Sequence, residues 1–137
     1  MLTIQERWER VRDRFREITD FRQVEILPIQ RLIDDSFWTG LTALKIPAAY
    51  VVLKTDEEDG NAVENKSTWA VLIVAPTKPT RPTEDVNHLI QACREKLNHQ
   101  WPDTFFHLEP KNRATFLQAM PQVATVELEI NTTEYES

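Results

Sequence analysis

The chain has 137 residues, 41% of them hydrophobic and 28% charged, with a formal net charge of −6 at pH 7. That length makes one domain, residues 1–137, with room for a real core. The negative balance excludes the phosphate backbone of a nucleic acid as the main partner, because such binding rests on Lys and Arg neutralising phosphates. No apolar run approaches the roughly 20 residues of a membrane span, so no membrane partner is expected. Two glycines leave no room for a Gly-rich phosphate loop, and the lone Cys93 cannot form an internal disulfide, so a reducing compartment suffices. Glu6 and Arg7, close behind Met1, speak against an apolar leader.

Thr3 and Glu6 form the pattern T-x-x-E of a capping box, in which each side chain satisfies the other residue's free amide. Behind it Ile4, Trp8, Val11, Phe15 and Ile18 recur at spacings of four and three, one stripe of a helix over about 3–20. Arg7, Arg10, Arg14, Glu6, Glu9, Asp13 and Glu17 fill the other face. It reads either as a solvated face laced with weak ion pairs or as a charged docking surface. Residues 21–27 fit a short strand stopped by Pro28, which has no amide for a ladder. Residues 29–46 read as an irregular segment pinned by Phe37 and Trp38.

Two apolar runs come next, Ala48 to Leu53 (AAYVVL) and Trp69 to Ala75 (WAVLIVA). Short Val- and Ile-rich runs bounded by turn residues are strands buried on both faces, and this pair marks the centre of a sheet. The stretch between them, Lys54 to Ser67, is polar and acidic and reads as a long hairpin tip. Pro76, Pro79 and Pro82 make a stiff connector. Thr83 can cap a second helix over about 84–99, whose stripe is Val86, Leu89, Ile90, Cys93 and Leu97. Residues 105–108 read as a short strand and 111–120 as a loop or short helix. Ala124, Val126, Leu128 and Ile130 then alternate with Thr125, Glu127, Glu129 and Asn131, a strand with one buried and one wet face.

The expected fold is therefore α+β: a mixed, mainly antiparallel sheet of four to five strands, two main helices packed on it, and a long acidic β-hairpin. Two helices on one side would leave Val71 and Ile73, or Leu72 and Val74, uncovered. Each such side chain is worth about 1.5–3 kcal/mol when buried. Irregular segments or another subunit must supply the cover, which makes self-association an expectation of the sequence.

Chemistry is sparse. Cys93 lies on an apolar stripe and reads as a structural thiol. His88 and His99 are about three turns apart, too far to share a metal, and His107 with Glu109 makes only two ligands. Asp103, Glu109 and Lys111 mimic the acid-acid-lysine pattern of a metal-dependent nuclease, but Pro110 would break the strand that such a site needs. Asp56, Glu57, Glu58 and Asp59 could hold a cation; consecutive acids on a tip more simply stay hydrated. No catalytic residues, no cofactor and no metal site are expected.

The order of parts resembles a known family. A first amphipathic helix and a variable segment precede a Pro-led strand, IPAAYVVL. An acidic tip leads into a strand opening with Trp, STWAVLIVAP. Then come a connector, a long helix (EDVNHLIQACREKL), a short aromatic strand (FFHL) and an alternating strand (VATVELEINTTEY). This pattern is similar to the tail terminator proteins of long-tailed bacteriophages, the minor tail protein U type and its counterparts in Mu-like prophages. The likeness runs over about 3–135 and departs most at 29–45. It implies a structural assembly protein that forms a homohexameric ring on the finished tail tube, ends tube growth and offers a surface to the head–tail connector. The implied partners are other copies of the chain, the tail tube protein and the connector protein. The implied location is the bacterial host cytoplasm during assembly, then the virion tail. The interaction residues expected are Asp56, Glu57, Glu58 and Asp59 of the tip with Arg7, Arg10 and Arg14 of the first helix. The alternatives are a related neck or tail-completion protein, and a small nuclease-like enzyme.

Overall fold

The computed structural model describes residues 2–28, 46–58, 64–77, 84–98, 106–108, 113–119 and 123–135. The first helix, α1, spans Ile4–Arg16. Thr3 caps it: its hydroxyl accepts from the Glu6 amide at 3.1 Å, and the Glu6 carboxylate accepts from the Thr3 amide at 3.1 Å. The reciprocal box is thus complete, one turn shorter in its helix than the sequence pattern reaches. The second helix described, α2, spans Glu84–Asn98. The strands are β1 (Gln23–Ile26), β2 (Ala48–Glu58), β3 (Glu64–Pro76), β4 (Phe106–Leu108), β5 (Arg113–Ala119) and β6 (Val123–Tyr135).

They form one mixed sheet in five lanes, ordered β1, β2, β3, β6, with β4 and β5 sharing the outer lane along β6. Only β1 and β2 run parallel; every other pair is antiparallel. The architecture is the α+β, mainly antiparallel sheet that the periodicities predict. The pair at its centre is the expected one, with Val51 opposite Val71 and Tyr50 opposite Leu72.

The expected long acidic hairpin is present, and one other stretch differs from expectation. In the hairpin β2 continues to Glu58 and β3 starts at Glu64, with Thr55 opposite Thr68 and Glu57 opposite Lys66. Ladder hydrogen bonds join backbone groups, so acidic side chains do not forbid pairing where β6 backs the hairpin from the other side. Residues 113–119 form β5 rather than a loop or short helix, joined to β6 through Ala114 opposite Leu128 and Phe116 opposite Val126. The aromatic segment expected at 29–46 lies, but for Ile46, outside the described residues.

The core has two layers. On the helix-bearing face, Val11, Phe15, Ile18 and Phe21 meet Val86, Leu89, Ile90, Cys93 and Leu97 over Ala49, Val51, Trp69, Val71, Ile73, Val126, Leu128 and Ile130. On the other face Ala48, Tyr50, Val52, Ala70, Leu72 and Val74 pack with Leu27 and Ile46. These side chains are buried within a single copy: Val52 and Val74 are 0% exposed and Leu72 is 2%. Of the two covers expected for that face, irregular segments or another subunit, Leu27 and Ile46 supply the first within one copy. Toward β6 that second face turns polar, where Lys54 reaches Glu127 at 3.4 Å and Glu129 at 3.6 Å.

Candidate functional site

The densest constellation of charge lies at the end of the sheet where the hairpin projects. It begins with a register change. Leu53 pairs with Trp69, but the next pair is Thr55 with Thr68, so Lys54 is an extra residue on β2. Such a bulge advances the alternation by one residue and re-aims the side chains beyond it. Without it Thr55 would join Ala49, Val51 and Leu53 on the helix-bearing face; with it Asp56 does.

There Asp56 meets Arg7. The Arg7 Nη2 donates to Asp56 Oδ1 at 2.9 Å and to Oδ2 at 3.0 Å. The Arg7 Nη1 donates to the Leu2 carbonyl at 2.6 Å and to Glu134 Oε2 at 3.4 Å. Glu134 in turn accepts from the Leu2 amide at 2.6 Å. The Ser67 hydroxyl donates to Asp56 Oδ1 at 2.6 Å. Arg7 is 2% exposed and Glu134 3%. One guanidinium thus joins the helix, the hairpin and the last strand. A planar fork suits this bidentate work in a way that a lysine ammonium does not.

Two tryptophans bound this polar end. Trp69 donates from Nε1 to the Thr132 hydroxyl at 2.8 Å, and Trp8 donates from Nε1 to the Val51 carbonyl at 2.8 Å. Their rings lie 6.3 Å apart at 50°. Each buries a large apolar ring while pairing its one donor.

The expected interaction residues are thereby divided. Arg7, expected on the solvated face of α1, is buried and internally paired. A charged residue one turn before Val11 shares its face, and two carboxylates at the end of the sheet accept it there. Asp56 points inward with Arg7, its side chain 18% exposed. Glu57 and Glu58 are exposed on the paired hairpin, and Asp59 lies outside the described residues. Arg10 is exposed, whereas Arg14 is half-buried and its guanidinium sits 3.2 Å from Glu17. Along the same helix Arg12 pairs with Asp13 at 3.0 Å, and Arg16 pairs with Asp13 at 3.8 Å and with Glu25 at 3.4 Å. Much of the charge on α1 is matched from within the chain. Glu134, Ser67 and Thr132 escaped the sequence reading, although Ala124, Val126, Leu128 and Ile130 carry the same alternation forward to Thr132 and Glu134.

No group of three or more His, Cys, Asp or Glu among the described residues could hold a metal ion. Asp103, Glu109, Lys111 and His99 lie outside the described residues. His88 is an exposed partner of Asp20, 3.1 Å away, and Lys96 reaches Glu17 at 3.5 Å, so both tie α2 to the end of α1. Cys93 is buried, and burial first, then the nearby Asp20 charge, pushes its thiol up to about 12. A thiol so held is neutral and a poor nucleophile. No described helix is long and apolar enough to cross a membrane. No protein-family model matches the chain, and no curated protein matches it either.

Proposed function

We propose that this chain is a structural assembly protein that forms a closed ring, caps a phage tail tube and presents a surface for head–tail joining. The resemblance in the order of its parts motivates the reading. The observation that carries it is the state of the sheet. The apolar central strands are covered on both faces within one copy, while the outer lanes, β1 on one side and β4 with β5 on the other, are unlike each other and have no further strand beside them among the described residues. Unlike edges suit a head-to-tail contact, and such contacts close into rings when the rotation per copy allows. Closure also protects strand edges from open-ended pairing. The exposed Glu57 and Glu58 stand on a hairpin that Arg7 holds rigidly, a defined point of contact for the tube or the connector. The setting is the host cytoplasm during assembly, then the virion.

Light scattering coupled to size exclusion, with negative-stain images of the same peak, tests this. The expected result is a six-copy mass and ring-shaped particles, formed by the chain alone or on addition of tail tubes. A single-copy mass in both conditions would overturn the ring, and Mg²⁺-dependent DNA cleavage would replace it with the nuclease reading.

A further inference from the structure

We infer that neighbouring copies join edge to edge, β5 of one copy pairing antiparallel with β1 of the next, with Phe116 beside Val24 and Arg113 within reach of Glu25. This rests on the ring reading and names the contact that closes it.

The registers carry the argument. Val24 pairs with Ala49, Ala49 with Ile73, Ile73 with Val126, and Val126 with Phe116. One row thus crosses the whole sheet from Val24 to Phe116. The next row runs Glu25, Tyr50, Leu72, Glu127, Thr115, and the one after it Ile26, Val51, Val71, Leu128, Ala114. The two strands with no further neighbour among the described residues therefore share these rows. They also match in length: β1 is Gln23–Ile26, and the straight part of β5, before its register shift past Phe116, is Arg113–Phe116. Direction agrees as well. β1 runs with β2, and each later lane reverses, so β5 runs opposite to β1. A second copy set beside the first by one sheet width, five lanes at about 4.8 Å each, and rotated to take up the twist across the lanes and to close the ring, brings β5 against β1 antiparallel with Phe116 and Val24 on the same face.

Side chains agree with that placement. Phe116 is 56% exposed, the most exposed large apolar residue among those described, and it lies on the helix-bearing face. There α1 packs chiefly on β1 and β2, and α2 on β3 and β6. In this pairing the neighbour's Val24 stands in the same row as Phe116. On the other face Arg113, its side chain 71% exposed, comes diagonal to Glu25, 47% exposed, a separation that long side chains span. In the single copy Arg113 rests on Glu129 at 3.0 Å. Arg16 lies along the β1 edge, its Nε donating to the Val24 carbonyl at 3.1 Å. Docking displaces this half-exposed arginine and gives Glu25 a second cation.

Cysteine cross-linking separates the outcomes. Thr115→Cys and Glu25→Cys fall in one row, and the buried Cys93 stays out of the reaction. Under mild oxidation a mixture of the two single variants should give cross-linked dimers, and each variant alone should give none. The double variant should give a ladder ending at the ring size. Self-cross-linking of Thr115→Cys alone would overturn the inference in favour of a two-fold contact. Rings that form with no mixed cross-link would overturn this contact and leave the ring reading standing. Monomers with no cross-link would remove both. As a second variant, Phe116→Lys should raise the concentration for half-assembly by about tenfold or more with an unchanged circular dichroism spectrum. Unchanged assembly would count against the contact.

Discussion

Arg7 and Asp56, 49 residues apart, meet through both guanidinium–carboxylate hydrogen bonds at 2.9 and 3.0 Å, and Glu134 completes the cluster from the last strand. Removing the cation leaves the buried Glu134 without a counter-charge among the described residues, held by the Leu2 amide, and Asp56 with the Ser67 hydroxyl. Arg7→Met is expected to cost about 3–5 kcal/mol, the range for breaking a buried pair from one side. Arg7→Lys should recover part of that, since a point charge cannot reproduce the fork. Adding Asp56→Asn and Glu134→Gln to Arg7→Met should restore stability above the single variant. Urea unfolding midpoints check all three.

The sheet's second face makes a prediction about concentration. Leu72 and Ile73 point to opposite faces, yet both are almost wholly buried in one copy. Leu72→Ala and Ile73→Ala should each destabilise by about 2–5 kcal/mol. The losses should be the same in dilute and concentrated protein. A Leu72→Ala penalty appearing only at high concentration would show that another copy completes that layer.

The capping box links stability to pH. The hydrogen bonds to Thr3, backbone first and side chain second, hold the Glu6 carboxyl below its usual range. A carboxyl held lower in the folded state lends stability above its ordinary pKa, and loses it as pH falls through the depressed one. Thr3→Ala keeps the backbone donor and removes only the hydroxyl, so it should move the Glu6 titration, tracked by NMR, only part of the way up toward the usual carboxylate range. The helix should also melt earlier, by about 1 kcal/mol for a lost N-cap.

Cys93 behaves in the opposite sense. Its thiol rises from 9.0 to about 12 on folding. A thiol raised in the folded state contributes fully below its ordinary pKa, so stability should fall as pH climbs from about 9 toward about 12. Cys93→Ala should flatten that slope. At neutral pH the native protein should react with a thiol reagent far more slowly than the urea-unfolded chain.

Elements whose side chains repeat with a backbone period were readable from the sequence. Val11, Phe15 and Ile18 gave α1, Val86 to Leu97 gave α2, and the alternation from Ala124 to Ile130 gave β6. The acidic hairpin was readable as well, but how far its ladder runs was not, because main-chain pairing in Thr55 to Glu58 leaves no trace in side-chain type. β5 was hidden for a related reason: its register shifts past Phe116, so RATFLQA lacks a clean alternation. Arg7 was misplaced because charge was taken for exposure, although its position four residues before Val11 puts it on the core side. Of the expected interaction residues, Glu57 and Glu58 are exposed on the paired hairpin. The pairing of Asp56 with Arg7 depended on the extra residue at Lys54, which no pattern of types announces.

That extra residue also gives the molecule a joint between two building materials. On one side of Lys54 the strand pair is oil on both surfaces and any slip would be ruinous; beyond it the same pair is a polar ribbon, backed by β6 and tied to the first helix through Arg7. Deleting that single residue would leave the oily half in place and swing Asp56 away from the arginine, so the join between helix and ribbon hangs on the chain's length at one point.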